Sequence, residues 1–316
     1  MTVDPFADPA HLVPATSKLR RSRSIWRVLF FLALAIAALA VAGRFALEGV
    51  AVGDRIARIA IDGTIVTDPA RLRTIEKLAE EPLVKAVIVA INSPGGTTAG
   101  GEELYEALGR LRADKPVVAV INELGASAAY MTAIGADRIF ARRLSIVGSI
   151  GVYYQHVDAG KLMETIGIGY DKVQTGPLKS EPDINEPLTG PARAALQALV
   201  DDSFAWFVDV VAERRGLARA DVLALADGRI VTGRQGVENR LIDAVGGEAE
   251  AVEWLESDRQ IAADLPVLDY YPLPEPGLLD LPGWLSGLAH AVLGFGPGRP
   301  IALDGLVSLW QAGPAM

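Results

Sequence analysis

Gly125-Ala-Ser-Ala-Ala-Tyr130, close behind the apolar run Pro116-Val-Val-Ala-Val-Ile121, decides how the rest of the chain is read. Val117 to Val120 read as a buried strand. Ala126 to Ile134 lacks glycine and proline inside a run of good helix formers, so it reads as a helix. Ser127 then stands at a strand-to-helix turn, its hydroxyl near free backbone N–H groups that favour developing negative charge. Two roles fit such a serine. It caps the helix, the usual task of a serine there, or it is a nucleophile.

Working outward, the chain alternates strand and helix. Asp54–Ile65 alternates apolar and polar residues around a strand, with Asp62-Gly63 as turn chemistry. Pro69–Glu80 has helical spacing, with Leu72, Ile75 and Leu78 on one face. Val84–Ile91 is almost continuously β-branched, as expected of a central strand covered on both sides. Asn92-Ser-Pro-Gly-Gly96 reads as a sharp break, and Glu102–Leu111 as a helix. Such alternation predicts an α/β fold with a mainly parallel sheet and flanking helices. Further on, strands are expected at Arg138–Ala141, Ser145–Tyr154 and Asp171–Gln174, with a short helix at Asp158–Ile166 and a loop at Thr175–Leu188. Pro191 and Gly216 bracket a long amphipathic helix, Ala192–Arg215.

Composition narrows the functional classes. The 316 residues carry a net charge of −9, which argues against a nucleic-acid partner. There is no cysteine, so thiol nucleophiles, thiolate metal sites and disulfides are excluded. Nothing points to a metal or an organic cofactor. Residues 1–24 are polar and end in Lys18, Arg20, Arg21 and Arg23. Val28–Gly43 is almost wholly apolar and extends to Ile25 and Trp26, near the short end of a bilayer span, so residues 25–44 read as a retained anchor in preference to a cleaved signal peptide. The basic excess before this stretch predicts a single-pass anchor, with a cytoplasmic N-terminus and an extracytoplasmic body. A compact domain is expected over 54–256, and a tail rich in Pro, Gly and Leu over 257–316.

A serine nucleophile needs a base and an oxyanion hole. His11 precedes the anchor and His290 lies in the tail, which leaves His156 for a triad. A lysine is the other option, provided burial lowers its pKa from about 10.4 toward about 7–8. Lys179, in the irregular Gly176-Pro-Leu-Lys-Ser180, is the candidate; its alternative is a solvated loop lysine. Lys161 and Lys172 read as exposed positions. In Asn92-Ser-Pro-Gly-Gly96 the glycines allow backbone N–H groups to turn toward a ligand, or simply make a turn.

Four motifs occur in order: Asn92-Ser-Pro-Gly-Gly96, Gly125-Ala-Ser-Ala-Ala-Tyr130, Ser145-Ile-Val-Gly-Ser-Ile-Gly-Val152 and Gly176-Pro-Leu-Lys-Ser180. Together they resemble signal peptide peptidase A, of peptidase family S49, over about Arg55–Leu255. The single-copy length is similar to the family's short form. The resemblance implies a Clp-protease/crotonase-like fold, a membrane anchor and a Ser/Lys dyad. It also implies bowl-shaped homo-oligomers with sites completed by neighbouring subunits, and remnant signal peptides as apolar substrates. Carried onto this sequence, Ser127 is the nucleophile, Lys179 the general base and Ser149 the lysine-orienting hydroxyl. Gly95, with Gly96, supplies the oxyanion hole. Ala128 and Ala129 depart from the pattern, which often has two glycines there. Three other readings keep the same fold: a Ser/Lys protease with one membrane-protein partner, as in the stomatin-operon proteases; an acyl-CoA enzyme using the Gly-Gly loop; and a non-catalytic scaffold. An extracytoplasmic body, away from the CoA pool, argues against the acyl-CoA enzyme.

Overall fold

The computed structural model describes residues 26–27, 29–36, 53–272 and 307–309. Residues 26–27 and 29–36 are helical. No helix among the described residues is long and apolar enough to cross a membrane. The rest of the expected anchor, the segment 1–24 and most of the tail lie outside the described residues.

From Asp54 onward the fold is a mixed α/β sheet with flanking helices. Its centre is built from β1 (Arg55–Ile65), β2 (Val84–Thr97) and β3 (Val117–Ala126), all parallel. Between them run α1 (Pro69–Glu80) and α2 (Thr98–Asp114). Asp68 starts α1 by accepting the Ala70 and Arg71 N–H groups ahead of Pro69's turn, and Thr97 caps α2 through Gly100 N–H. After β3 come α3 (Ala128–Ala133), β4 (Arg138–Ala141) and β5 (Ile146–Gly148). Beyond them are α4 (Gly160–Thr165), α5 (Gly190–Arg215), α6 (Arg219–Leu225) and β6 (Ile230–Thr232). The order closes with α7 (Gly233–Glu238), β7 (Ala244–Val245), α8 (Glu248–Asp258), β8 (Val267–Tyr271) and β9 (Val307–Leu309). The sheet order is β6-β5-β3-β2-β1-β8, with β4 joining β3 to β7 and β9 on β2. Only β6 and β9 pair antiparallel among the described strands.

Both sheet faces are covered, which is why the central strands read as unbroken apolar runs. Ile59, Val89 and Ala119 face α1, α2 and α5, joining Ile75, Leu108 and Phe207 in one core. Ile56, Ile88 and Val118 face the other way onto Trp254 and Leu255 of α8.

Several expected boundaries move. β2 does not break at Asn92; it runs through Pro94 and both glycines to Thr97, because Thr64 and Ile65 of β1 go on pairing with Gly95 and Gly96. Asp62-Gly63 is absorbed as an irregularity inside β1 rather than a turn. The strand expected over Ser145–Tyr154 stops at Gly148, where Ser149 takes φ 53°. Asp171–Gln174 is not a strand, and Val173 is fully exposed. In the stretch read as tail, β8 extends the sheet beside β1.

Candidate active site

β3 and β5 set Ser127 in place. Leu124, Gly125 and Ala126 pair with Ile146, Val147 and Gly148, and the Ser127 N–H continues the ladder to the Gly148 carbonyl at 2.8 Å. The chain then reverses into α3, whose first turn closes from Met131 N–H to the Ser127 carbonyl. To make that turn Ser127 adopts φ 60°, ψ −121°. A side chain at positive φ outside glycine costs about 1–3 kcal/mol and persists where the surroundings impose it. The serine makes no capping hydrogen bond to α3. Capping, its commonest role, is therefore not what its hydroxyl does.

Ser149 is a second residue of this kind. It has φ 53°, is 8% exposed, and its N–H donates to the Arg229 carbonyl at 2.8 Å. Ser127 and Ser149 line one cavity of about 520 Å³. Its other walls include Tyr153, Phe204 and Asp201 of α5, and Asp227. Arg229 grips Asp227 through both carboxylate oxygens and holds that carboxyl down at about 2, so it is charged at physiological pH.

Small residues let the elements close up here. A Cβ on Gly96 would fall 1.8 Å from the Ile65 carbonyl oxygen, so only glycine fits at this point of β2 against β1. Gly95 has φ 106°, a glycine conformation. Its N–H donates to the buried Ser93 hydroxyl at 3.1 Å. Ala128 and Ala129, in place of the glycines of the usual motif, are fully buried. Room for Ala128 comes from the facing helix: a Cβ on Gly101 of α2 would lie 3.0 Å from Ala128 Cβ and 2.8 Å from Met131 Sδ.

The family comparison fits this arrangement. A candidate protease of Synechocystis sp. is 36% identical over 236 residues, covering 74% of this chain and 85% of its own length. The profile of peptidase family S49 matches residues 109–262. The chain belongs to peptidase family S49. A candidate signal peptide peptidase SppA of Enterococcus faecium is 32% identical over 203 residues, 63% of this chain and 58% of that one. Among solved structures, a point mutant of ClpP1 from Listeria monocytogenes aligns with TM-score 0.41 and 13% identity, over 60% of this chain and 91% of its own.

Within this S49 chain the remaining candidates lie apart from Ser127. Lys179 is exposed, on a turn closed by its N–H to the Gly176 carbonyl, and does not line the Ser127 cavity. His156 points into a neighbouring cavity with Tyr154 and Pro187, its Nε2 at 3.1 Å from the Glu186 carbonyl. Lys172, expected to be solvated, instead binds Glu181, Asp183 and Glu186 together. Lys172 holds the Glu186 carboxyl below the usual carboxylate range. Sequence reasoning also missed the α5 and Asp227 walls of the cavity. They lie 70 or more positions beyond Ser127, and no local motif marks them.

Proposed function

We propose that this chain is a short-form signal peptide peptidase A. In this reading it is a membrane-anchored serine endopeptidase on a Clp-protease/crotonase-like frame, and it cuts apolar peptides, remnant signal peptides foremost. The observation that carries the reading is Ser127, strained, uncapping and open to a cavity it shares with Ser149. Strain gathered at one site is the mark of a group positioned for chemistry. The family's protease relatives support the reaction class.

Lys179 is the proposed base, and its surroundings favour delivery to a neighbouring copy. Ile168, Val173, Leu178 and Ile184 around it in sequence expose large apolar side chains. A second subunit covering that face would bury the lysine, which favours its neutral form. Neutral Lys179 takes the Ser127 proton as Oγ attacks the peptide carbonyl. Ser149 would orient the amine. The tetrahedral oxyanion would be held by N–H groups of the Gly95-Gly96 segment. The ammonium returns its proton to the departing amine, and water then clears the acyl-enzyme. The anchor over 25–44 would keep the domain extracytoplasmic and beside its substrates.

Mixing tests both the chemistry and the sharing. Ser127→Ala and Lys179→Ala chains should each be inactive toward an apolar fluorogenic peptide. After dissociation and joint reassembly, random pairing should restore about a quarter of wild-type turnover. Inactive mixtures alongside active wild type would place both residues in one chain. Full turnover by Lys179→Ala alone would overturn the dyad.

A further inference from the structure

Lys179 stands on a loop whose neck is closed by charge. Residues 173–180 leave the fold after Lys172 and return to it at Glu181, and the Lys172 ammonium spans the gap. It donates to Glu181 Oε1 at 3.0 Å, to Asp183 Oδ2 at 3.2 Å and to Glu186 Oε1. The Glu181 and Asp183 side chains are only 7% and 6% exposed, so this is not a solvated surface pair. Glu181 Oε2 is buried with no hydrogen-bond partner, which leaves Lys172 as the cation that offsets its charge.

The two arms of the loop differ. The returning arm is tied to the fold: Ala159 N–H donates to the Ile184 carbonyl at 2.7 Å, and His156 Nε2 lies 3.1 Å from the Glu186 carbonyl. His156 shares its cavity with Tyr153, which also walls the Ser127 cavity. The outgoing arm is exposed, with Ile168, Tyr170 and Val173 turned to solvent. It meets the returning arm through Lys172 and through the Tyr170 hydroxyl, which bonds Asp183. Beyond the neck, Ser180 Oγ donates to Gln174 Oε1. Glu181 follows Lys179 closely in the chain, so a grip on Glu181 fixes the backbone that carries the lysine.

We propose that Lys172 is a positioning residue: its ammonium, clasping Glu181, Asp183 and Glu186, holds the loop in the shape that presents Lys179 to the reaction. The proposal rests on the peptidase reading above, in which Lys179 is the base. Lys172 does not line the Ser127 cavity, so its effect on turnover passes through Lys179. A reacting group displaced by about 1 Å loses about a hundredfold in rate, so a loosened neck is felt in turnover before it is felt in global stability.

The test compares three full-length chains: wild type, Lys172→Met, which removes the charge, and Lys172→Arg, which keeps it. With an apolar fluorogenic peptide, Lys172→Met should lose about tenfold or more in kcat while KM stays within about twofold. Lys172→Arg should recover at least about half of wild-type kcat. Amide hydrogen exchange across residues 173–181 should quicken about tenfold or more in Lys172→Met, with Val117–Ile134 unchanged. Wild-type kcat in Lys172→Met, or unchanged exchange across the loop, would overturn the proposal. So would a loss carried by KM, or one that Lys172→Arg does not relieve. Should Lys172→Met fail to assemble, Glu181→Gln, the same shape with one charge fewer, carries the same expectation. Exchange that answers to Lys172 in chains without turnover, wild type included, would uphold the clasp on the loop and tell against the peptidase reading alone.

Discussion

Ser127 and Lys179 occupy opposite kinds of surroundings. From Val117 to Ile134 the chain is almost wholly buried, and each backbone turn is fixed by a neighbouring strand or helix. From Gly160 to Leu188 little is buried: α4 has no buried residue, and Ile166 and Val173 are 61% and 101% exposed. One chain is enough to strain a serine into place. It does not bring the lysine to it. The strained turn at Ser127 is a product of folding within this chain, and Lys179 stands on an excursion that the chain leaves exposed.

The hardest way to break that contrast is to delete the Ser127 hydroxyl. Ser127→Ala should lower kcat by at least about 10³-fold, while the melting temperature stays level, since alanine keeps the Cβ that the positive φ strains. Activity equal to wild type would remove Ser127 from the chemistry. Next in size is Gly96→Ala, which sets a Cβ against the Ile65 carbonyl. A loss of about 2–4 kcal/mol in denaturant unfolding is expected, and a neutral result would mean that β1 and β2 can separate there. Ser149 gives a finer test. Ser149→Gly keeps the φ 53° turn and removes the hydroxyl, so stability should hold while turnover falls about tenfold or more and its pH optimum moves. Unchanged turnover would make Ser149 a turn residue only.

The smallest effect concerns the excursion itself. Lys172 holds Glu186 below its ordinary range, and so does Glu181. At Asp183 burial works against the charge, but Asn185 N–H and Lys172 outweigh it and the carboxyl is likewise lowered. Groups with depressed folded values lend stability above their unfolded pKa of about 4 and lose it as pH falls through the folded value. Lys172 is raised, so its share is lost only in strong alkali. Limited proteolysis should therefore cut within 160–188 faster at pH 3 than at pH 7, and Lys172→Met should bring that sensitivity to neutral pH. Equal cutting at both values would show that the cluster does not hold the loop.

The strands were legible because burial on both faces writes itself as continuous Val and Ile, as in Val84–Ile91. The start of α1 was legible from Asp68 and Pro69. Asn92-Ser-Pro-Gly-Gly96 misled, since its residues favour a turn in isolation. Parallel pairing to β1 overrides that preference, and the glycines serve close approach instead. The Lys172 cluster was hidden for a related reason. Glu181, Asp183 and Glu186 are scattered in a loop, and only its folding brings three carboxylates onto one ammonium. Ser127 could be named from its motif, yet its strain could not, because strain belongs to the β3–β5 ladder rather than to six residues.

Gly101 and Ala128 share one methyl group between two helices. The Ala128 methyl beside Ser127 fits because the facing helix carries no side chain at Gly101. Neither position can then change alone without leaving a void or a collision. Exchanged together, as Gly101→Ala with Ala128→Gly, they should cost less than Gly101→Ala alone, the contact with Met131 Sδ being what remains. The room beside Ser127 is thus set by a pair of positions on two helices, and a search that reads only the serine's own neighbours along the chain will misjudge it.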